Sequence, residues 1–516
     1  MDINRKTLHF SDLDKNVKMA FLSTTIIGLL IHIYKFTNTL PNHDSVYNYY
    51  SDQNVVGSGR WLLSIACGFS SYFDLPWVNG LLSIIFIAAT ATVIVKLFDI
   101  KNYVLIIITS GLLVSFPAIT ETFFFGFTAD GYMLAMFLAA LAVYFSRIAD
   151  KKIIHTVLSA CFVCMTCAIY QAYVSFALVL AVCYFMWELL KNKNTIKEYL
   201  HWIYKQIVIY IAGLGTYFII WKLCLAIQGV QVNHIHGIDK VGQVSFELLI
   251  QGVKNTIRSL MLFFLEWNVL EHGWTLYGIL NVIFLIFLIM AIVTAIISSK
   301  LYMRRIQFVL FLVCILALPF FCCIWNFVSE EVAYRPMLLQ SVCVLYIFAA
   351  ILFGSEYTTR LFKPVRLLLI VIIFNYGIQA NICYYLMNKE YETSYATGVE
   401  MMSRIHLMDE EIRNIAFVGN IAGDVSWDIT EYKDKAHLLS SCLEQTLVFD
   451  HEHAIRFLNN TFDSEYMSVT TEELKKLEKS ETVKSMGKWP AKDSMKMFGD
   501  TLVIKLSDPQ DYEAEN

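Results

Sequence analysis

Eleven apolar stretches recur along this chain of 516 residues, each close to the roughly 17–25 residues that a helix needs to cross a bilayer. They run near residues 17–37, 78–96, 102–118, 130–147, 153–170, 172–190, 206–227, 275–298, 306–327, 337–354 and 366–386. Composition points the same way. The chain is 57% hydrophobic and 16% charged, with mean hydropathy +0.54, whereas a soluble domain carries about 25% charged residues. In lipid each backbone polar group must be satisfied within its own segment or barrel, so spans of this length imply helices. The expected fold class is an α-helical polytopic membrane protein.

The charge is unevenly spread. Glu390 to Asn516 holds 25 acidic and 13 basic residues, and the remainder holds 19 and 27, giving −12 and +8 and the overall −4. A membrane domain over 1–388 is therefore followed by an acidic soluble domain over 389–516. Within that tail Asn414 to Gly419 and Asp500 to Leu506 read as buried strands. Tyr391 to Leu407 and the runs near 435–458 and 471–484 read as helices, which makes a small α/β domain.

Orientation follows from Lys and Arg, which favour the cytoplasmic side. With the N-terminus inside, the inner segments hold 19 of them and the outer segments 5 (Arg60, Lys240, Lys254, Arg258 and Arg335). Residues 248–270 complicate the count. Lys254 and Arg258 interrupt their apolar character, and crossing there would move Lys300, Arg304 and Arg305 outside, so an interfacial or re-entrant helix is expected. The N-terminus then lies in the cytoplasm and the tail outside. Met1 to Lys18 reads as the leader of a retained helix rather than a cleaved signal.

Several function classes drop out. No Gly-rich phosphate cradle follows a strand, so a nucleotide-driven pump is not expected, nor is a nucleic-acid partner. Eleven of the twelve cysteines lie in or beside apolar segments, which argues against a disulfide framework. Cys161, Cys164 and Cys167 read as a packing stripe rather than metal ligands. His234 and His236 lack a third ligand nearby, and no cofactor or metal is implied.

The outer loops hold the candidate chemistry. Pro41 to Trp61 (PNHDSVYNYYSDQNVVGSGRW) is long, aromatic and low in Lys, unlike a plain connector. Asp44, beside His43 and just past the first span, is read either as a solvated carboxylate or as a base for a sugar hydroxyl. Arg60 in GSGRW is read either as an interfacial anchor beside Trp61 or as a phosphate ligand, since guanidinium matches phosphate geometry. In TETFFFGFTADGY, Asp130 has an alternative as the cap of the fourth span. Glu121 has none, and a carboxylate at a membrane mouth is costly unless it is solvated or used. Tyr170 and Gln171 sit at a tight turn, where they either line a cavity or satisfy helix ends. Arg335, in SEEVAYRP, either pairs with Glu330 and Glu331 or meets a phosphate.

The order of these segments resembles a known family. A first span, an outer loop with His43-Asp44, then GSGRW, FPAITETFFFGFTADGY, the AIYQAYVSF turn and VAYRP are similar to the GtrII-type bacterial glucosyltransferases, a branch of the GT-C membrane glycosyltransferases. The resemblance spans most of residues 20–386. It implies a polyprenyl-phosphate-sugar donor, a surface glycan acceptor and inverting hexose transfer on the outer face of the bacterial cytoplasmic membrane. The matching position for the base is Asp44, with Glu121 as the other carboxylate. Arg60 and Arg335 would serve the phosphate, and His43, Asp130, Tyr170 and Gln171 would line the substrate. A flippase or transporter of lipid-linked saccharides is the rival reading. It calls for buried mid-span charges and internal symmetry, and neither stands out.

Overall fold

Pro117 divides one long apolar run into two helices, and that break places a carboxylate inside the bundle. The computed structural model describes residues 14–234, 245–265, 275–329, 334–358, 365–408, 411–419 and 451–508. In chain order the longer helices are α1 (Lys15–Thr37), α2 (Pro76–Phe98), α3 (Tyr103–Ser115), α4 (Pro117–Phe124), α5 (Gly126–Phe145), α6 (Ile153–Ile169), α7 (Tyr173–Lys191), α8 (Ile196–Gln228), α9 (Phe246–Leu265), α10 (Leu276–Ser298), α11 (Arg305–Cys322), α12 (Cys343–Gly354) and α13 (Val365–His406). A 3-10 helix, Pro336–Val342, leads directly into α12.

Local chemistry sets many of the ends. The Asn102 side chain accepts the amides of Val104 and Leu105 at the start of α3. Thr195 and Glu198 form a capping box at the start of α8. Pro stands in the first turn of α2 and of α4, where a missing N–H costs nothing.

Among the described residues eleven helices are long and apolar enough to cross a membrane, so the chain is a polytopic helical protein. They are not quite the eleven expected from the sequence. Ile153–Ile169 is a shorter apolar helix, and Phe246–Leu265, expected at the interface, meets the length and composition needed to cross. Residues 266–270 of that segment lie outside the described residues.

The chain divides into two compact units, one of Met1–Thr37 with Asp52–Asn381 and one of Asn38–Ser51 with Ile382–Asn516. In the first, outward apolar side chains such as Leu30, Ile211, Leu316 and Phe374 are exposed, as a lipid-facing belt requires. Buried polar groups tie its helices together. His32 Nε2 meets the Val114 carbonyl oxygen at 2.9 Å, and the Tyr346 and Tyr376 hydroxyls donate to Asn281 Oδ1 at 2.8 and 3.0 Å. Such interhelical bonds supply specificity where lipid and side chains are equally apolar.

The second unit holds a four-stranded sheet. Strands β1 (Asn414–Val418), β2 (Met467–Ser468), β3 (Met495–Phe498) and β4 (Thr501–Lys505) lie in the order β2-β1-β4-β3. β1 runs parallel to β2 and β4, and β3 runs antiparallel to β4. Helices α14 (His451–Phe462) and α15 (Thr471–Lys479) accompany it. Both buried strands expected from the sequence are present, and β2 and β3 were not anticipated. Residues 420–450, including Cys442 and part of the helical run expected at 435–458, lie outside the described residues.

One element runs longer than its sequence suggests. The last span and the helix expected at Tyr391 to Leu407 are a single helix, α13, of 42 residues. At about 1.5 Å per residue it exceeds what the bilayer needs. No Gly-Pro breaker separates its apolar start from its polar end, so the helix continues where hydropathy alone would stop it.

Candidate functional site

The GSGRW loop is fixed from below by three side chains. Val56–Ser58 forms one 3-10 turn, which closes on Gly59 at φ +80°. Trp221 Nε1 donates to the Val56 carbonyl at 2.7 Å, and Gln171 Nε2 donates to the Ser58 carbonyl at 2.7 Å. Asn233 Nδ2 donates to Ser58 Oγ at 2.8 Å. Gln171 thus serves the loop backbone and also donates to the Tyr217 hydroxyl at 3.2 Å. The sequence had left it either lining a cavity or satisfying helix ends, and the carbonyl it meets belongs to the GSGRW loop.

Arg60 leaves this platform between two tyrosines. Its Nη1 donates to the Tyr132 hydroxyl at 3.0 Å, and its guanidinium carbon lies 4.5 Å from the Tyr170 ring centroid. The two rings stack on each other, 4.3 Å apart and 12° from parallel. Tyr173 meets Tyr170 edge-on at 6.0 Å. A guanidinium over an aromatic face gains from the ring quadrupole, more so away from water.

Glu121 was expected in an outer loop. The structure instead puts it inside α4, fully buried, because Pro117 restarts the helix before the aromatic run. Its carboxylate accepts the backbone N–H of Met337, in the first turn after Arg335 and Pro336. Gln340, one turn on, donates to the Ala172 carbonyl at 2.7 Å. Arg335, Glu121 and the Tyr170 turn are therefore joined. Arg60, Arg335 and Glu121 all lie within electrostatic reach of the Tyr170 ring. Among the described residues, two guanidinium groups and one carboxylate act on that ring. Glu330 and Glu331, the alternative partners of Arg335, lie outside the described residues.

Asp130 is not the helix cap that its position before Gly131 suggested. The helix begins earlier, at Gly126, and Asp130 lies within it at 1% exposure. Neither carboxylate oxygen makes a hydrogen bond of good geometry, with Ser70 and the Gly131 amide as near polar neighbours. Asp130 lies in electrostatic reach of Asp74, which in turn stands in the field of Lys35. Lys35 and Asp74 also line one small cavity with Phe36 and Phe123. The sequence reading missed both residues, since an isolated Lys at a helix end looks like any interfacial anchor.

His43 and Asp44 belong to the other unit. Around Asp44 the residues are buried: Asn42 is 1% exposed, His43 5%, Ser45 1% and Val46 1%. The Asp44 side chain keeps 46% of its surface open, with Oδ1 3.4 Å from His43 Nε2. Val46 joins the core made by Ile415, Phe417, Phe457 and Leu458. His236, Glu266, Glu271 and His272 lie outside the described residues, and among the described ones no three His, Cys, Asp or Glu side chains gather as a metal group.

No curated protein and no solved structure matches the chain. A family model described as glucosyl transferase GtrII matches residues 33–354, more than half of the chain. That stretch takes in Asp44, Arg60, Glu121, Asp130, the Tyr170 turn and Arg335, so the arrangement above and the family match coincide. The chain belongs to the glucosyl transferase GtrII family.

Proposed function

We propose that this protein is a GT-C-type glycosyltransferase. It transfers a hexose, glucose in keeping with its family, from a polyprenyl-phosphate-sugar donor to a surface glycan. The reaction takes place at the outer face of the bacterial cytoplasmic membrane. The observation that carries the reading is the Arg60 guanidinium held over the Tyr170 ring, with Arg335 in electrostatic reach of the same ring; guanidinium groups match the geometry of a phosphate such as that of a membrane-dissolved donor. Asp44 takes the proton of the acceptor hydroxyl while its oxygen attacks the anomeric carbon. The bond from that carbon to the phosphate oxygen breaks, configuration inverts, and the electron pair leaves on the lipid phosphate, whose charge the arginines stabilise. A lipid phosphate leaves readily enough that no nucleotide is needed, and we assign no metal or other cofactor.

The topology rests on the second unit. Asn38–Ser51 directly follow α1, and Ile382 onward continue α13, so both helices deliver their C-terminal ends to one compact unit. That supports an odd number of crossings. Among the described residues the eleven long helices and Ile153–Ile169 make twelve, so our reading has one that does not cross. α6 packs along α5 and α8, as an integral bundle member does. We assign the non-crossing helix to α9, whose window has the lowest mean hydropathy, 1.2, and which carries Lys254 and Arg258. The charge bias then sets the N-terminus inside and Asp44 and the tail outside.

The test is Asp44→Asn assayed with purified polyprenyl-phosphoglucose. A loss of about 10²–10⁴-fold in turnover is expected for a general base. Full retained activity would remove Asp44 from the mechanism.

A further inference from the structure

The tail has no role assigned by the family match, which ends at residue 354. Its helix α14 nevertheless holds the loop that carries Asp44. Asn460 Nδ2 donates to the Val46 carbonyl at 2.8 Å. The Arg456 guanidinium carbon lies 4.2 Å over the Tyr47 ring, and the Tyr47 hydroxyl donates to Glu452 Oε2 at 3.3 Å. His453 meets Tyr47 edge-on at 4.5 Å and lies 5.9 Å from the His43 ring. On the loop side, Asn42 and Ser45 bond each other, and Asn48 Nδ2 donates to the Asp44 carbonyl at 2.8 Å.

These contacts sort the loop into two parts. The side chains on either side of Asp44, from Asn42 to Val46, are buried, and within that stretch that of Asp44 is left open. A solvated connector would show the reverse, with no side chain preferred and no partner more than four hundred residues away. A general base must be held within hydrogen-bond reach of the proton it takes, and a misplacement of about 1 Å can cost about a hundredfold. Fixing such a residue takes a second set of contacts that lock its support.

We propose that α14 is the positioning element of the catalytic loop, with Asn460 and Arg456 setting where Asp44 stands. The tail is then part of the transferase and not a separate docking module. The assignment rests on Asp44 being the base, and it adds that residues outside the family match determine turnover.

The experiment uses the full chain in proteoliposomes with polyprenyl-phosphoglucose. Asn460→Ala and Arg456→Ala each lower kcat by about threefold to fivefold, the weight of one part-buried hydrogen bond or exposed cation–π contact. The donor KM stays within about twofold, because the phosphate groups belong to other residues. Arg456→Lys recovers most of the loss, since an ammonium still faces the Tyr47 ring. In an Asp44→Asn background, Asn460→Ala costs nothing further, as expected when one residue acts through another. Unchanged kcat in both alanine variants, or a full additional loss in the Asp44→Asn background, overturns the positioning role. If Asn460→Ala loses its thermal transition, the Arg456 pair decides. An active Asp44→Asn enzyme sinks the base assignment instead, so the two failures are told apart.

Discussion

The guanidinium of Arg60 lies over the ring of Tyr170, 4.5 Å from its centroid, while its Nη1 bonds the Tyr132 hydroxyl at 3.0 Å. A planar fork can stack and donate at once, and an ammonium cannot do both. Arg60→Lys should therefore behave much like Arg60→Ala. Both should raise the donor KM by about tenfold, the scale of one charge-assisted contact. Steady-state kinetics over a donor series checks this, and a wild-type KM in Arg60→Lys would make Arg60 a plain point charge.

Gly59 controls how that side chain is delivered. Its φ of +80° is a left-handed conformation, and a Cβ there would run into the Tyr217 hydroxyl and the Gln171 amide. Gly59→Ala should cost about 1–2 kcal/mol through backbone strain alone. Loop displacement should add a loss of turnover. A variant with unchanged melting and unchanged kcat would show that the loop is not held by this turn.

Glu121 separates charge from hydrogen bonding. Glu121→Ala leaves the buried Met337 N–H without its acceptor and should destabilise the chain by about 1–3 kcal/mol. Glu121→Gln keeps an acceptor oxygen, so its melting temperature should stay much closer to wild type. It also makes the site more positive. Tighter donor binding with slower release of the lipid phosphate is the expected kinetic signature, and a Gln variant as unstable as the Ala variant would contradict it.

The sequence carried the helices well because length and apolar composition are local properties. It carried the site less evenly. Glu121 looked like a loop residue because it lies just past the apolar span near 102–118, whereas Pro117, in a first helical turn, begins a new helix there. Asp130 looked like a cap because Asp before Gly favours that place, and only the earlier start at Gly126 excludes it. Arg60 and Arg335 were singled out singly, but nothing in their neighbourhoods records that both lie in electrostatic reach of Tyr170. The pairing of Val46 with Asn460 joins segments over four hundred residues apart, so neither segment shows it alone.

That pairing also fixes the most direct test of the membrane arrangement. A cysteine at Ser45 would be a poor reporter, since that site is 1% exposed, but Tyr50 is 61% exposed and Glu472 is exposed as well. With the exposed native Cys161 changed to Ser, cysteines at Tyr50 and Glu472 should react with an impermeant thiol reagent from the same face, and one at the exposed Lys193 from the opposite face. If α9 does not cross, cysteines at Ser245 and Leu276, on either side of it, should also share a face. Labelling of Tyr50 and Glu472 from opposite faces would contradict the packing of Asn38–Ser51 with the tail. Labelling of Ser245 and Leu276 from opposite faces would move the missing crossing to another helix, with Ile153–Ile169 next in line because it is the shortest of the twelve.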